Sequence, residues 1–291
     1  MPIHQGVNSL DKVVLRDSSG YSAEVYTHGA HVTSWKNPAG EDLLFLSGKA
    51  IFKPPTAIRG GIPLCWPQFG DFGPCKAQHG FARNTTFQII NNTENSVTME
   101  LKGDSIDQFP DFPQLFTLRC KVTVGDGTLE QELQVQNPSN NDSLPFTAAL
   151  HTYFRLQNGI EAATVHGMNG CRYLDSLQGR KEFVEESPDG VKFSGEVDRI
   201  YLQTPDTLKI ADGPDGQGQR GFVIEKMGFA DAVVWNPHVV KAAKMADFGD
   251  DEWKDMVCVE VAQAGSGKID VPAGGTWVGR QKISLSNTST S

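Results

Sequence analysis

Leu115-Phe116-Thr117-Leu118-Arg119-Cys120-Lys121-Val122-Thr123-Val124, then Gly125-Asp126-Gly127, then Thr128-Leu129-Glu130-Gln131-Glu132-Leu133-Gln134-Val135-Gln136 is the stretch that decides the fold. Apolar and polar residues alternate on both sides of a Gly-Asp-Gly turn, the pattern of two antiparallel strands with a tight connection. In the second arm Leu129, Leu133 and Val135 fall on one side and Glu130, Glu132, Gln134 and Gln136 on the other. One face is therefore buried and the other wet. Shorter runs of the same kind occur at residues 12–16 and 22–26, around Asp17-Ser18-Ser19-Gly20, and at 87–90, 97–101, 146–156, 222–226, 232–235, 257–262 and 277–285. Helical spacing is confined to 238–246, behind Asn236-Pro237, which reads as an N-cap followed by a first-turn proline. No linker and no repeat divides the chain, and only residues 287–291 read as a disordered tail. The expectation is one all-β domain over residues 1–291, a large antiparallel β-sandwich with few short helices.

Composition narrows the function. The net charge of −9, from 26 basic and 35 acidic residues, argues against a nucleic-acid partner or an anionic membrane surface. No apolar run approaches the ~18 residues of a membrane span. Met1-Pro2-Ile3-His4-Gln5-Gly6 lacks the basic and apolar regions of a signal peptide, so a cytoplasmic location and no membrane association are expected. Cysteines 65, 75, 120, 171 and 258 are scattered without a Cys-x-x-Cys pair; reduced thiols fit, and neither a disulfide framework nor a metal site is indicated.

Glu260 stands alone in the most apolar strand, Met256-Val257-Cys258-Val259-Glu260-Val261-Ala262. Alternation puts it on one face with Cys258 and Ala262, small neighbours that leave space above a carboxylate. That is a general base in outline; the plainer reading is a buried Glu satisfied by an Arg or by backbone amides. His151, in Ala148-Ala149-Leu150-His151-Thr152-Tyr153-Phe154, shares a face with Ala149, Tyr153 and Arg155, opposite the core-like Leu150 and Phe154. Most lone strand histidines are structural. Arg59-Gly60-Gly61-Ile62-Pro63-Leu64-Cys65-Trp66-Pro67-Gln68-Phe69-Gly70 and Gln78-His79-Gly80-Phe81-Ala82-Arg83-Asn84 combine glycine and proline loop chemistry with two forked cations. A purely structural loop would carry the same composition. If the ligand is an anion, Arg59 and Arg83 are the natural clamp. Asp198 could accept sugar hydroxyls or simply pair with its neighbour Arg199, and Trp235 could stack on a pyranose or pack in the core.

Taken together, Arg59-Gly60-Gly61-Ile62-Pro63 with Trp66-Pro67-Gln68-Phe69-Gly70, His79-Gly80-Phe81-Ala82-Arg83-Asn84, Leu150-His151-Thr152-Tyr153, Val197-Asp198-Arg199-Ile200-Tyr201, Trp235-Asn236-Pro237 and Val259-Glu260-Val261 resemble the aldose 1-epimerase (mutarotase) family, and most closely its glucose-6-phosphate 1-epimerase branch. The resemblance implies a galactose-mutarotase-like supersandwich, no cofactor, Glu260 as base and His151 as acid. It implies a sugar-phosphate site lined by Arg59, Gln78, His79 and Arg83, with Asp198 on sugar hydroxyls. Lys76 either adds to phosphate binding or faces solvent. Interconverting the α and β anomers of glucose 6-phosphate needs one group to take the C1 hydroxyl proton and one to protonate the ring oxygen, and a Glu–His pair suffices. Such a pair in contact is expected to favour its charged forms. A monomer acting on a small sugar phosphate is expected. A mutarotase for unphosphorylated aldoses, a glycoside hydrolase using Glu260 and Asp198, and a non-catalytic carbohydrate-binding or sensor domain are the alternatives.

Overall fold

The computed structural model describes residues 2–213 and 220–287, so all but residue 287 of the expected tail lies outside the described residues. The deciding hairpin forms as Phe116–Gly125 against Thr128–Gln136, with Leu118 opposite Val135 and Cys120 opposite Leu133. It sits inside an antiparallel eight-stranded sheet in the order Ala163–His166, Thr207–Asp212, Arg220–Met227, Thr276–Asn287, Thr128–Gln136, Phe116–Gly125, Ser96–Gly103, Gln88–Asn92. A second eight-stranded sheet runs Lys181–Val184, Arg172–Asp175, Val197–Tyr201, Asp231–Asn236, Met256–Gln263, Ala148–Leu150, Leu64–Cys65, with Tyr153–Arg155 also on Met256–Gln263. A four-stranded sheet, His4–Gln5, Asp11–Arg16, Ser22–Tyr26, His31–Lys36, and a two-stranded pair, Leu144–Phe146 with Ile269–Val271, complete the strands.

The two large sheets meet through apolar faces, Phe154 of one against Phe222 of the other at a ring separation of 4.8 Å. One polar thread crosses this core. Gln131, on the buried face of the hairpin, donates to Cys120 Sγ at 3.3 Å and accepts from Gln281 Nε2 at 3.3 Å. Gln281 Oε1 in turn accepts from the Thr152 hydroxyl at 3.1 Å. A buried polar group stays only if paired, and this chain of pairs ties the second sheet to the first one residue from His151.

Two sequence expectations need correction. The run at 146–156 is not one strand: Leu144–Phe146 pairs with Ile269–Val271, Ala148–Leu150 pairs instead with Met256–Gln263, and Thr152 N–H turns back to Leu150 O at 2.9 Å to separate Ala148–Leu150 from Tyr153–Arg155. The helix at 238–246 is only His238–Ala242. The cap position is taken by Pro237 rather than Asn236, although Asn236 Oδ1 accepts from His238 N–H at 2.9 Å just before the helix. Val239 and Val240 stay exposed, so only Ala242 and the His238 ring, 4.2 Å from Trp253, hold the helix down, and little apolar surface rewards a longer one.

Trp66 holds the loop that carries the Gln68-Phe69-Gly70 wall. It is fully buried against Phe81, Phe112, Phe116 and Phe146 at ring separations of 5.6, 5.4, 4.5 and 6.1 Å. Trp66→Ala is expected to destabilise the fold by about 3–5 kcal/mol, the usual cost of an aromatic cavity, measured by denaturant unfolding. A loss under about 1 kcal/mol would mean that this aromatic cluster does not set the stability of the loop.

Candidate active site

The site is a matter of strand register. Leu150 stands opposite Val261 and Tyr153 opposite Cys258, and the same register across the jog at Thr152 brings His151 opposite Glu260. On the other side of the same strand Val233 stands opposite Glu260, and Ile200 opposite Val233. His151, Glu260, Val233 and Ile200 thus form one transverse row. Two residues along, Tyr153, Cys258, Trp235 and Asp198 form the next row on the same face. A cavity of about 270 Å³ lies over these rows, near the lower end of the ~300–1,000 Å³ typical of small-ligand sites.

At its floor His151 Nδ1 and Glu260 Oε1 are 3.1 Å apart, with exposures of only 9% and 2% for the two side chains. The contact is not an aligned hydrogen bond: His151 Nδ1 has no partner, and neither does Glu260 Oε2. The imidazole stacks on Tyr153 at 4.7 Å and meets Trp235 edge-on at 6.0 Å, which fixes its plane. Burial first, and then the nearby Asp198 charge, pushes Glu260 well above the ordinary carboxylate range. Burial first, and then His79, Arg83 and Arg59, pushes His151 well below the ordinary imidazole range. The expectation that contact would favour both charged forms is therefore corrected. Burial disfavours the charged form of each, and the contact supplies no aligned hydrogen bond to offset it. The outcome is a stronger base and a stronger acid side by side.

The walls come from loops. His79 has left-handed backbone (φ 67°) and is tied to Gly70 both ways: its N–H donates to Gly70 O at 2.8 Å, and its Nδ1 accepts from Gly70 N–H at 3.1 Å. Burial, Arg83 and Arg59 hold it well below the usual imidazole range. A neutral ring that accepts at Nδ1 carries its proton on Nε2, so His79 is a fixed donor among the cavity-lining residues. Gly80 beside it is obligatory, since at φ 70° a Cβ would sit 2.3 Å from Trp66 O. Arg59 lies on the wall with Nε donating to Asp247 at 3.1 Å and Nη1 donating to the Tyr153 hydroxyl at 3.1 Å. The Tyr153 oxygen, and then Asp247, stabilise its charge further. Asp198 also lines the cavity; burial raises its pKa against the opposing bond from the Ser176 hydroxyl.

Of the sequence-selected residues, the structure brings Arg59, Gln78, His79, His151, Asp198, Trp235 and Glu260 to one cavity. Arg83 is not among its lining residues. Its guanidinium turns to Gln78 O at 2.9 Å, so it shapes the wall and acts on the histidines by its field rather than by contact. Lys76 is 91% exposed and lies outside the lining, 3.9 Å from Asp111. Two cations missed in the sequence take the places on the wall: Lys241, from the helix after Pro237, and Arg180, which stacks over Phe72 at 4.4 Å and pairs with Asp71. The sequence marks Arg180 only by the turn-forming Gly179 before it; the structure gives both residues positive φ.

A family model described as Aldose 1-epimerase matches residues 11–284. A Cenchrus ciliaris protein named "Putative glucose-6-phosphate 1-epimerase" is 43% identical, over 95% of this chain and 85% of its own. An Escherichia coli (strain K12) protein of the same name is 34% identical, over 89% and 85%. The crystal structure of "a putative mutarotase" from Salmonella typhimurium superimposes with a TM-score of 0.83 at 29% identity, covering 99% of this chain and 97% of that one. A galactose mutarotase related enzyme from Lactobacillus acidophilus, 17% identical, shares the fold with a TM-score of 0.76 over 96% and 98%. The architecture is the galactose-mutarotase-like sandwich that the motifs implied.

Proposed function

The chain belongs to the aldose 1-epimerase family, and on that premise we propose that it interconverts the α and β anomers of hexose 6-phosphates, D-glucose 6-phosphate first among them. The observation that carries this reading is the Glu260–His151 contact of 3.1 Å at the floor of a cavity whose wall bears Arg59, Arg180 and Lys241. Glu260 takes the proton of the C1 hydroxyl while His151 gives one to the ring oxygen, so the C1–O5 bond breaks and the aldehyde forms. Rotation about C1–C2 presents the other carbonyl face. Closure then runs the same transfers backwards: the O5 hydroxyl proton returns to His151 and the new C1 oxygen takes its proton from Glu260. His79, a neutral donor, and Asp198, an acceptor, are suited to hold hydroxyls of the sugar, and Trp235 offers an apolar face.

The cations favour a phosphorylated sugar over a free aldose: Arg59 and Arg180, though paired with Asp247 and Asp71, have more N–H donors than those bonds use, and Lys241 adds a third charge to the wall. The test is acceleration of anomer equilibration of glucose 6-phosphate by purified protein, followed by polarimetry or exchange NMR. No acceleration above the spontaneous rate rejects the proposal; binding without acceleration would favour the sensor-domain reading.

The pKa directions set the pH profile. The reactive form holds one proton between the two groups, on His151 with Glu260 ionised; the raised Glu260 and lowered His151 values favour the tautomer with that proton on Glu260, so the reactive form is the minority one of the singly protonated pair. A second proton binds as pH falls through the lowered His151 value, and the last is lost as pH rises through the raised Glu260 value. The kcat profile is expected to be a bell, its acid limb below the ordinary imidazole value and its alkaline limb above the ordinary carboxylate value. Asp198→Asn removes a charge that helps raise Glu260, so it should move the alkaline limb to lower pH. An unmoved limb would separate Asp198 from the proton chemistry.

A further inference from the structure

Cys258 has no task in the chemistry above, yet its Sγ, a ring nitrogen of His151 and a carboxylate oxygen of Glu260 all lie within 4.8 Å of one another. Cys258 and Glu260 are two residues apart on one face of Met256–Gln263, and His151 is opposite Glu260, so the trio is held by sheet register rather than by a loop. All three side chains are buried, and two of their polar atoms, His151 Nδ1 and Glu260 Oε2, have no hydrogen-bond partner. We propose that this trio is a binding site for a thiophilic divalent cation, zinc foremost, which switches the enzyme off by taking its base and its acid as ligands.

The donor set selects the ion. One sulfur, one imidazole nitrogen and one carboxylate oxygen, with the remaining side open to the cavity, is the three-ligand pattern that leaves a fourth position for water. Magnesium and calcium ask for oxygen donors, six or more for calcium, which are not gathered here. Tetrahedral zinc, at about 2.3 Å from sulfur and 2.0–2.1 Å from nitrogen, needs its ligands roughly 1 Å closer than the outer limit of this trio, a shift that falls to the Cys258 and Glu260 side chains because Tyr153 and Trp235 hold the imidazole. A thiolate, a carboxylate and a neutral imidazole around a dication sum to zero charge, so the complex is better suited to the buried floor than either anion alone. Binding changes no oxidation state. The thiol proton leaves for solvent as the sulfur–metal bond forms, and so does a carboxyl proton where Glu260 starts protonated.

Binding is independent of the proposed activity; only the inhibition rests on that reading. The test is titration of the reduced full chain with Co²⁺ as a spectroscopic stand-in. One ion per chain is expected, giving a thiolate-to-cobalt charge-transfer band in the near ultraviolet and the visible bands of a tetrahedral ion, all lost on adding Zn²⁺ or glucose 6-phosphate. Cys258→Ala should lose the charge-transfer band and bind zinc more weakly by at least the ~10–100-fold that even outer-shell changes cost, while keeping metal-free mutarotation. Zinc inhibition of the wild type should be competitive with the sugar phosphate. Absence of the charge-transfer band in the wild type overturns the proposal, whatever the variant does. So does an equal band, or equal zinc inhibition, in Cys258→Ala. Should that variant not fold, Cys258→Ser, which keeps the side-chain volume closer, gives the same comparison. A cobalt band in a protein without mutarotase activity would uphold the metal site and reject the proposed function instead.

Discussion

Glu260→Gln is expected to lower kcat for glucose 6-phosphate anomerisation by about 10²–10⁴-fold, and His151→Asn by a similar factor, the range for positioned acid and base groups. The glutamine keeps the shape of the side chain between Val233 and Cys258 but cannot take the C1 hydroxyl proton. The asparagine keeps a polar group opposite residue 260 without a proton of suitable acidity. Because one proton shuttles between the two groups, the double variant should be barely worse than either single one. Stability should move the other way. Glu260 is 1% exposed with an unpartnered carboxylate oxygen, a placement that burial opposes, so Glu260→Gln should unfold at the same or a higher denaturant concentration. Polarimetry and urea unfolding on the same preparations check both statements. A wild-type rate in the double variant, or a rate loss matched by a loss of folded protein, would remove Glu260 and His151 from the chemistry.

The second large effect concerns the phosphate. Arg59 is held at both ends of its guanidinium by Asp247 and Tyr153 and is only 26% exposed, so a charge-assisted bond from it keeps most of its strength. Arg59→Ala should raise KM for glucose 6-phosphate by roughly 10–150-fold, the equivalent of ~1.5–3 kcal/mol, and change that for free glucose far less. Arg180 is 42% exposed, and water and salt screen it. Arg180→Ala and Lys241→Ala should therefore each cost only a few-fold, at the ~0.2–1 kcal/mol of exposed pairs, and their effects should shrink as salt rises. Arg83, outside the lining, should act mainly through the pH profile by way of His79 and His151. Equal KM losses for both sugars in Arg59→Ala would end the argument for a phosphate-selecting wall.

Much of this site is legible in the sequence. The alternation at 256–262 placed Glu260 with Cys258 and Ala262, and that is the face that bears the cavity. Alternation at 146–156 placed His151 with Tyr153, and they do stack. What failed there was continuity: the pairing partner changes after Phe146, and the strand breaks again at Thr152, whose N–H returns to Leu150 O, a local bond that no apolar pattern signals. Arg83 looked equivalent to Arg59 because both are arginines in glycine-rich loops. Their difference lies in which acceptors each finds, Asp247 and Tyr153 for one and the Gln78 carbonyl for the other.

By itself the sequence determined that this chain folds as antiparallel sheets, that the Phe116–Gln136 hairpin keeps one face wet, and which carboxylate and imidazole are out of place among apolar neighbours. These are properties of neighbours along the chain, set by the two-residue period of a pleated backbone. Only the tertiary structure decided that His151 stands across from Glu260, that Arg180 and Lys241 rather than Arg83 reach the cavity, and that burial drives the two pKa values apart. Register and desolvation depend on segments far apart in sequence coming together, and no local pattern carries that information.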